Sequence, residues 1–181
     1  MMMLLGHQGV RINAALHLQW RDVEDDQLIW RAEWDKLGNE WTQPIRDGTV
    51  SALLTAKGWR ERDGYDGPWV FYRPRRRSRR YDREDAPYTV QGFLDALRNA
   101  EDRAGVIHRP LRASHGLRKM VAGDVWDETD DATAALQFIG DTDMRQAKKY
   151  LKVRAKRMFS IAQRLDGRAV PTPKPTTGVS G

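Results

Sequence analysis

Apolar residues recur along this chain with two different periods, and the change from one to the other marks where helix gives way to a short sheet. Ile12, Ala15, Leu16, Leu18 and Trp20 predict a compact helical segment over Ile12 to Trp20 that ends near Asp22. The stretch Gln27 to Trp34 (QLIWRAEW) is aromatic and β-branched, the composition of a strand. Asp35 to Asn39 (DKLGN) has turn chemistry, and Glu40 to Ile45 reads as the return strand of a β-hairpin with Lys36 near its tip. Asp47 to Lys57 predicts a helix with Gly58 just past its end, and Gly67 to Tyr72 (GPWVFY) a short strand.

The remainder is helical. Thr89 can cap a helix bearing Val90, Phe93, Leu94, Leu97 and Ala100 on one side. Ser114 is placed to cap one carrying Leu117, Met120, Val121 and Val125. Asp130 or Asp131 can cap a third, with Ala134, Ala135, Phe138 and Ile139, which Gly140 stops. From Met144 the residues Ala147, Leu151, Ala155, Met158, Ala162 and Leu165 step by three or four, an apolar stripe on a long helical segment that suits a core or a partner contact. Val170 to Gly181 (VPTPKPTTGVSG) has three prolines and no period, so residues 169–181 read as a disordered tail behind one domain over residues 1–168. The pattern is that of a mostly α, α+β domain with a small antiparallel sheet. No internal repeat is visible.

Composition narrows what such a domain can do. The chain has 181 residues, of which 40% are apolar, enough for one core. It lacks cysteine, which removes disulfides, thiol nucleophiles and Cys-ligated zinc and suits a reducing cytoplasm. The N-terminal apolar run, Met1 to Leu5, is too short for a signal peptide core or a membrane span. The net charge is +6 and favours an anionic partner. That charge is unevenly spread. Arg145, Lys148, Lys149, Lys152, Arg154, Lys156, Arg157, Arg164 and Arg168 face only Asp166 in their segment, and seven arginines crowd Arg73 to Asp85, which reads as an exposed basic loop. Between them Gly123 to Asp143 carries seven acids and no base, so most of it is expected to face away from a polyanion. Asp25-Asp26 and Asp130-Asp131 have no His or Glu completing a ligand set and read as caps or solvated loops. The four histidines show no zinc spacing, and no glycine-rich phosphate loop is present.

What remains is a set of phosphate-friendly residues in a distinctive order: Gly9-Val10-Arg11, the hairpin residue Lys36, His115-Gly116-Leu117-Arg118 opening a helix, Gly140-Asp141, and Tyr150. In this order the chain resembles the catalytic domain of the tyrosine recombinases, the phage-integrase family, over roughly residues 1–156. The resemblance implies a helical bundle with a small antiparallel sheet and site-specific cleavage and rejoining of DNA. Tyr150 would attack the scissile phosphate, forming a 3′-phosphotyrosyl bond and releasing a 5′-hydroxyl. Arg11 and Arg118 would grip the non-bridging oxygens, since a planar guanidinium offers paired donors to a phosphate. Lys36 would protonate the departing oxygen, and His115 would act as general acid or base. No cofactor, ATP or metal is implied, because the phosphotyrosyl link conserves the phosphodiester's energy. The implied partners are double-stranded DNA and three further copies in a homo-tetramer, with a cytoplasmic, DNA-associated location and no membrane.

The chain departs from the pattern at two positions. Asp141 stands where the family usually has His or Trp, and a carboxylate there would repel the phosphate unless protonated or turned away. Ala14 stands three residues after Arg11, where an acid is common and helps to orient the site. The family's N-terminal DNA-clamping domain is also expected to be missing, because Arg11 comes almost at once. Two other readings compete: a DNA-binding remnant in which Asp141 has ended cleavage, and a helical protein-interaction module built on the stripe from Met144 to Leu165.

Overall fold

A computed structural model of the chain describes residues 1–73, 85–107, 113–141 and 143–147, all within one unit, Met1–Leu151. Six helices and two strands are present among them: α1 (Met2–Gln8), α2 (Ile12–Leu16), β1 (Gln27–Trp30), β2 (Trp41–Pro44), α3 (Asp47–Asp63), α4 (Val90–Arg103), α5 (Ala113–Thr129) and α6 (Ala132–Phe138). Three single 3₁₀ turns, Trp20–Asp22, Ala32–Trp34 and Met144–Gln146, join them. The mostly helical class with a small two-stranded antiparallel sheet is thus as expected. Most of the basic loop, the C-terminal stripe beyond Ala147, Tyr150 and the tail over residues 169–181 lie outside the described residues.

The hairpin pairs Gln27 with Pro44 and Trp30 with Trp41, so the sheet is shorter than the composition suggested. After Trp30 the chain leaves the sheet because its aromatic residues find better partners elsewhere. Trp34 stacks on His17 of the segment after α2, with ring centroids 3.9 Å apart, and its carbonyl accepts a hydrogen bond from Asn13 Nδ2 at 3.1 Å. The helix expected over Ile12 to Trp20 stops at Leu16 for a related reason. The backbone around Leu18 is claimed by the next layer, where Val70 N–H donates to Leu18 O and Trp20 N–H to Pro68 O, both at 2.9 Å. Gly67 to Tyr72 is not a strand. It makes only isolated bridges, Gln19 with Trp69 and Tyr72 with Pro87, since Pro68 and Pro87 have no N–H with which to extend a ladder. Val70 and Phe71 are nevertheless buried.

Helix α3 runs through Gly58, where a stop was expected. One solvent-facing glycine inside a helix costs only about 1 kcal/mol, less than the packing of Leu53 and Ala56 returns. The helix ends instead at Gly64, in the left-handed conformation (φ 61°), with Tyr65 N–H reaching back to Arg60 O at 3.0 Å. Thr89 caps α4 as expected, its hydroxyl accepting from Gly92 N–H at 3.0 Å. Of the two acids offered as caps for α6, Asp131 is the one, accepting from Thr133 and Ala134 N–H. Ser114 is not a cap: α5 begins at Ala113, so Ser114 falls in its first turn, and the helix starts two residues earlier than a Ser114 cap would set it, a difference of the size that frayed helix ends produce.

The main core gathers Leu4, Leu5, Val10, Leu18, Leu28, Trp30 and Phe93, and a smaller cluster joins Val121 and Ala122 of α5 to Leu136 and Ile139. A buried polar link ties the sheet to both. Gln43 on β2 takes a hydrogen bond from Trp30 Nε1 (2.9 Å) and donates to Gln8 O at the end of α1 (2.7 Å) and Phe138 O at the end of α6 (2.6 Å). The two loops that follow these helices carry Arg11 and Asp141, so Gln43 fixes their starting points.

Candidate active site

Three loops and one helix meet around two arginines. Helix α1 ends at Gly9, whose positive φ of 65° turns the chain and whose missing side chain lets it lie against α5, where a Cβ would come 2.8 Å from Val121 Cβ. Arg11 then precedes α2. Arg118 lies in the second turn of α5, and Gly140 (φ 69°), with no room for a side chain against Trp41, leads into Asp141.

Four charged groups alternate in a chain across this junction. Arg11 Nη1 donates to Asp35 Oδ1 at 2.5 Å and to Gly140 O at 3.3 Å, while Nη2 faces Asp141 Oδ2 at 3.4 Å. The same Asp141 oxygen lies 3.5 Å from Arg118 Nη2. Arg118 Nη1 is held by Gly9 O at 3.0 Å and Ile139 O at 2.5 Å. Side-chain exposures are 21% for Arg11, 3% for Arg118, 2% for Asp141 and 0% for Asp35. Buried charges are tolerable only when paired and hydrogen-bonded, and here each guanidinium meets a carboxylate and at least one carbonyl.

The expected residues therefore separate into three groups. Arg11, Arg118 and Asp141 are brought together. Lys36 and His115 are both exposed, Lys36 on the turn just after Asp35 and His115 three residues before Arg118 in the first turn of α5. Tyr150 lies outside the described residues, as do its neighbours Lys148 and Lys149. Within the acidic segment Asp141 turns inward between the two arginines, and its Oδ1 accepts from Asp143 N–H at 3.3 Å. Arg118 commits its Nη donors to carbonyls and Asp141.

Asp35 went unnoticed in the sequence. The signal was there, an acid directly before the hairpin lysine in a turn, but turn aspartates usually serve only their own backbone. Ala14 is 3% exposed and packs in the core, so nothing acidic reaches Arg11 from that side. Two described tyrosines have the opposite of nucleophile chemistry. Tyr65 and Tyr72 stack with centroids 4.0 Å apart, and burial, together with the hydrogen bond to Asp63, pushes the Tyr72 phenol up to about 12. None of the site residues lines the groove of about 420 Å³ bounded by Trp20, Arg60 and Tyr65. Among the described residues no group of three or more His, Asp or Glu side chains is placed to hold a metal ion, and no helix is long and apolar enough to cross a membrane.

A fold of this kind, with an arginine pair set between a hairpin and a helical bundle, is that of the tyrosine recombinase catalytic domain. The chain belongs to the phage integrase family, whose model matches residues 1–157. Among solved structures it is similar to XerA recombinase (TM-score 0.69, 17% identity, covering 92% of this chain and 56% of that one). It is also similar to XerH site-specific recombinase bound to its difH substrate (0.62, 17%, 89% and 44%) and to a lambda integrase dimer bound to a COC′ core site (0.58, 20%, 86% and 52%). The chain thus spans about half the length of these proteins. A comparison with curated proteins finds no match.

Proposed function

We propose that this chain is a catalytic domain for DNA strand cleavage and rejoining, with Tyr150 as nucleophile, over residues 1–168 and followed by a tail at residues 169–181. The observation that carries this reading is the convergence of Arg11 and Arg118 on one anionic oxygen, that of Asp141, at 3.4 and 3.5 Å. Two guanidinium groups that meet around a carboxylate oxygen can meet around a phosphate oxygen, whose growing charge in the transition state they would stabilise.

In the proposed reaction the Tyr150 oxygen bonds to phosphorus and gives up its proton with help from His115. The bond from phosphorus to the 5′-oxygen breaks, and that oxygen takes a proton from Lys36. Attack by a 5′-hydroxyl on the phosphotyrosine reverses these bonds and restores the phenol. The partner is double-stranded DNA, on which four copies assemble, and neither ATP nor metal is consumed. DNA-bound relatives of the same fold support the choice of partner.

The test is incubation with a nicked suicide duplex, which loses its 5′-hydroxyl fragment and traps the cleaved state. A DNA-linked protein band is expected for wild type and none for Tyr150→Phe. Equal behaviour of the two rejects the reading. The position of Asp141 favours one alternative, a DNA-binding domain in which this carboxylate holds the phosphate seat and prevents cleavage. In that case wild type gives salt-sensitive binding without the band, and Asp141→His produces it.

A further inference from the structure

We infer that Asp35 is a positioning residue for the proposed strand cleavage, supplying from the hairpin the carboxylate that α2 lacks at Ala14; the inference rests on that reading of the site. Three observations meet at this side chain. It is fully buried although charged, which demands a partner, and that partner is Arg11 Nη1 at 2.5 Å. Its other oxygen, Oδ2, accepts from Leu37 N–H at 2.9 Å and Asn39 N–H at 3.4 Å, closing the turn on which Lys36 stands. The position on α2 three residues after Arg11 is filled by alanine packed into the core.

One carboxylate therefore does two jobs at once. Oδ1 fixes the direction of the Arg11 fork, leaving Nη2 pointed at the oxygen of Asp141. Oδ2 fixes the backbone from which the Lys36 ammonium extends. The group that grips phosphate and the group that would protonate the leaving oxygen are thereby held at a set separation by a single rigid link. Misplacement of such groups by a fraction of an ångström slows a reaction without much change in binding, because binding tolerates geometry that the transition state does not.

The experiment uses the full chain with Asp35→Asn, which keeps the shape, and Asp35→Ser, which keeps an oxygen for the turn but cannot pair with Arg11. Duplex affinity is read by fluorescence anisotropy and the trapping rate by suicide duplex at saturating DNA, each also in an Arg11→Ala background. Both variants are expected to bind within threefold of wild type and to trap DNA roughly 10- to 100-fold more slowly. That cost is expected to fall below threefold when Arg11 is already alanine. Separately, the Arg11 Nη resonances, distinct in wild type because the ion pair hinders rotation about Nε–Cζ, are expected to merge in Asp35→Asn. The inference is overturned if both variants fail to fold, if the slowing is the same in the Arg11→Ala background, if neither variant is slowed, or if the resonances do not change. If wild type traps no DNA, the strand-cleavage reading falls and with it the positioning role, whereas distinct wild-type resonances that merge in Asp35→Asn would still show the Arg11 restraint.

Discussion

The loop junction around Arg118 and the hairpin tip around Lys36 serve the same proposed reaction but are built in opposite ways. At the junction the cation is buried and its Nη donors are committed to Gly9 O, Ile139 O and Asp141. At the tip the ammonium stands in solvent, and only the backbone beneath it is fixed, by Asp35. Groups that hold charge gain from being locked in place before the reaction. A group that passes a proton to a departing oxygen has to reach a substrate that is absent until DNA arrives.

Four substitutions sharpen this contrast. Arg118→Ala removes a buried cation, leaves Asp141 with Arg11 as its remaining guanidinium partner and takes the Arg118 donor from Gly9 O and Ile139 O, so the loss in urea denaturation is expected to be about 3 kcal/mol or more. Gln43→Leu keeps the volume but leaves Trp30 Nε1, Gln8 O and Phe138 O without the partner they have, an expected cost of about 2 kcal/mol by the same measurement. Asp141→Asn removes the anion that would compete with phosphate in the proposed reaction. Duplex affinity by anisotropy is expected to rise by roughly fivefold, close to 1 kcal/mol, and a fall would mean that the carboxylate helps to seat the DNA. Lys36→Ala is expected to shift stability by less than about 0.5 kcal/mol while slowing trapping at least tenfold, and a large drop in thermal midpoint would place Lys36 with the buried half.

The same contrast explains what could be read from the sequence. Local chemistry was legible: Thr89 and Asp131 cap because a short oxygen before an apolar run satisfies the nearest free N–H groups, and the hairpin follows from its turn residues. The order Arg11, Lys36, His115, Arg118 was legible as a family pattern. Burial of Arg118 was not, because it depends on carbonyls of Gly9 and Ile139 that only the tertiary fold brings within reach. Nor was the ion pair of Asp35 with Arg11, which crosses from the hairpin to the start of α2. Helix α3 passed through Gly58 because packing outweighed a small intrinsic penalty, a balance invisible in the residue itself.

The alternation of Asp35, Arg11, Asp141 and Arg118 has one consequence for how a polyanion is met. Two carboxylates cancel two guanidinium groups, so from a distance the seat is electrically quiet and draws nothing toward it. In the proposed reaction long-range steering would then fall to the arginine and lysine runs elsewhere in the chain, and the seat would become cationic only when an incoming phosphate displaced Asp141. Capture and commitment would be separate events, the first sensitive to ionic strength and the second to the swing of a single carboxylate.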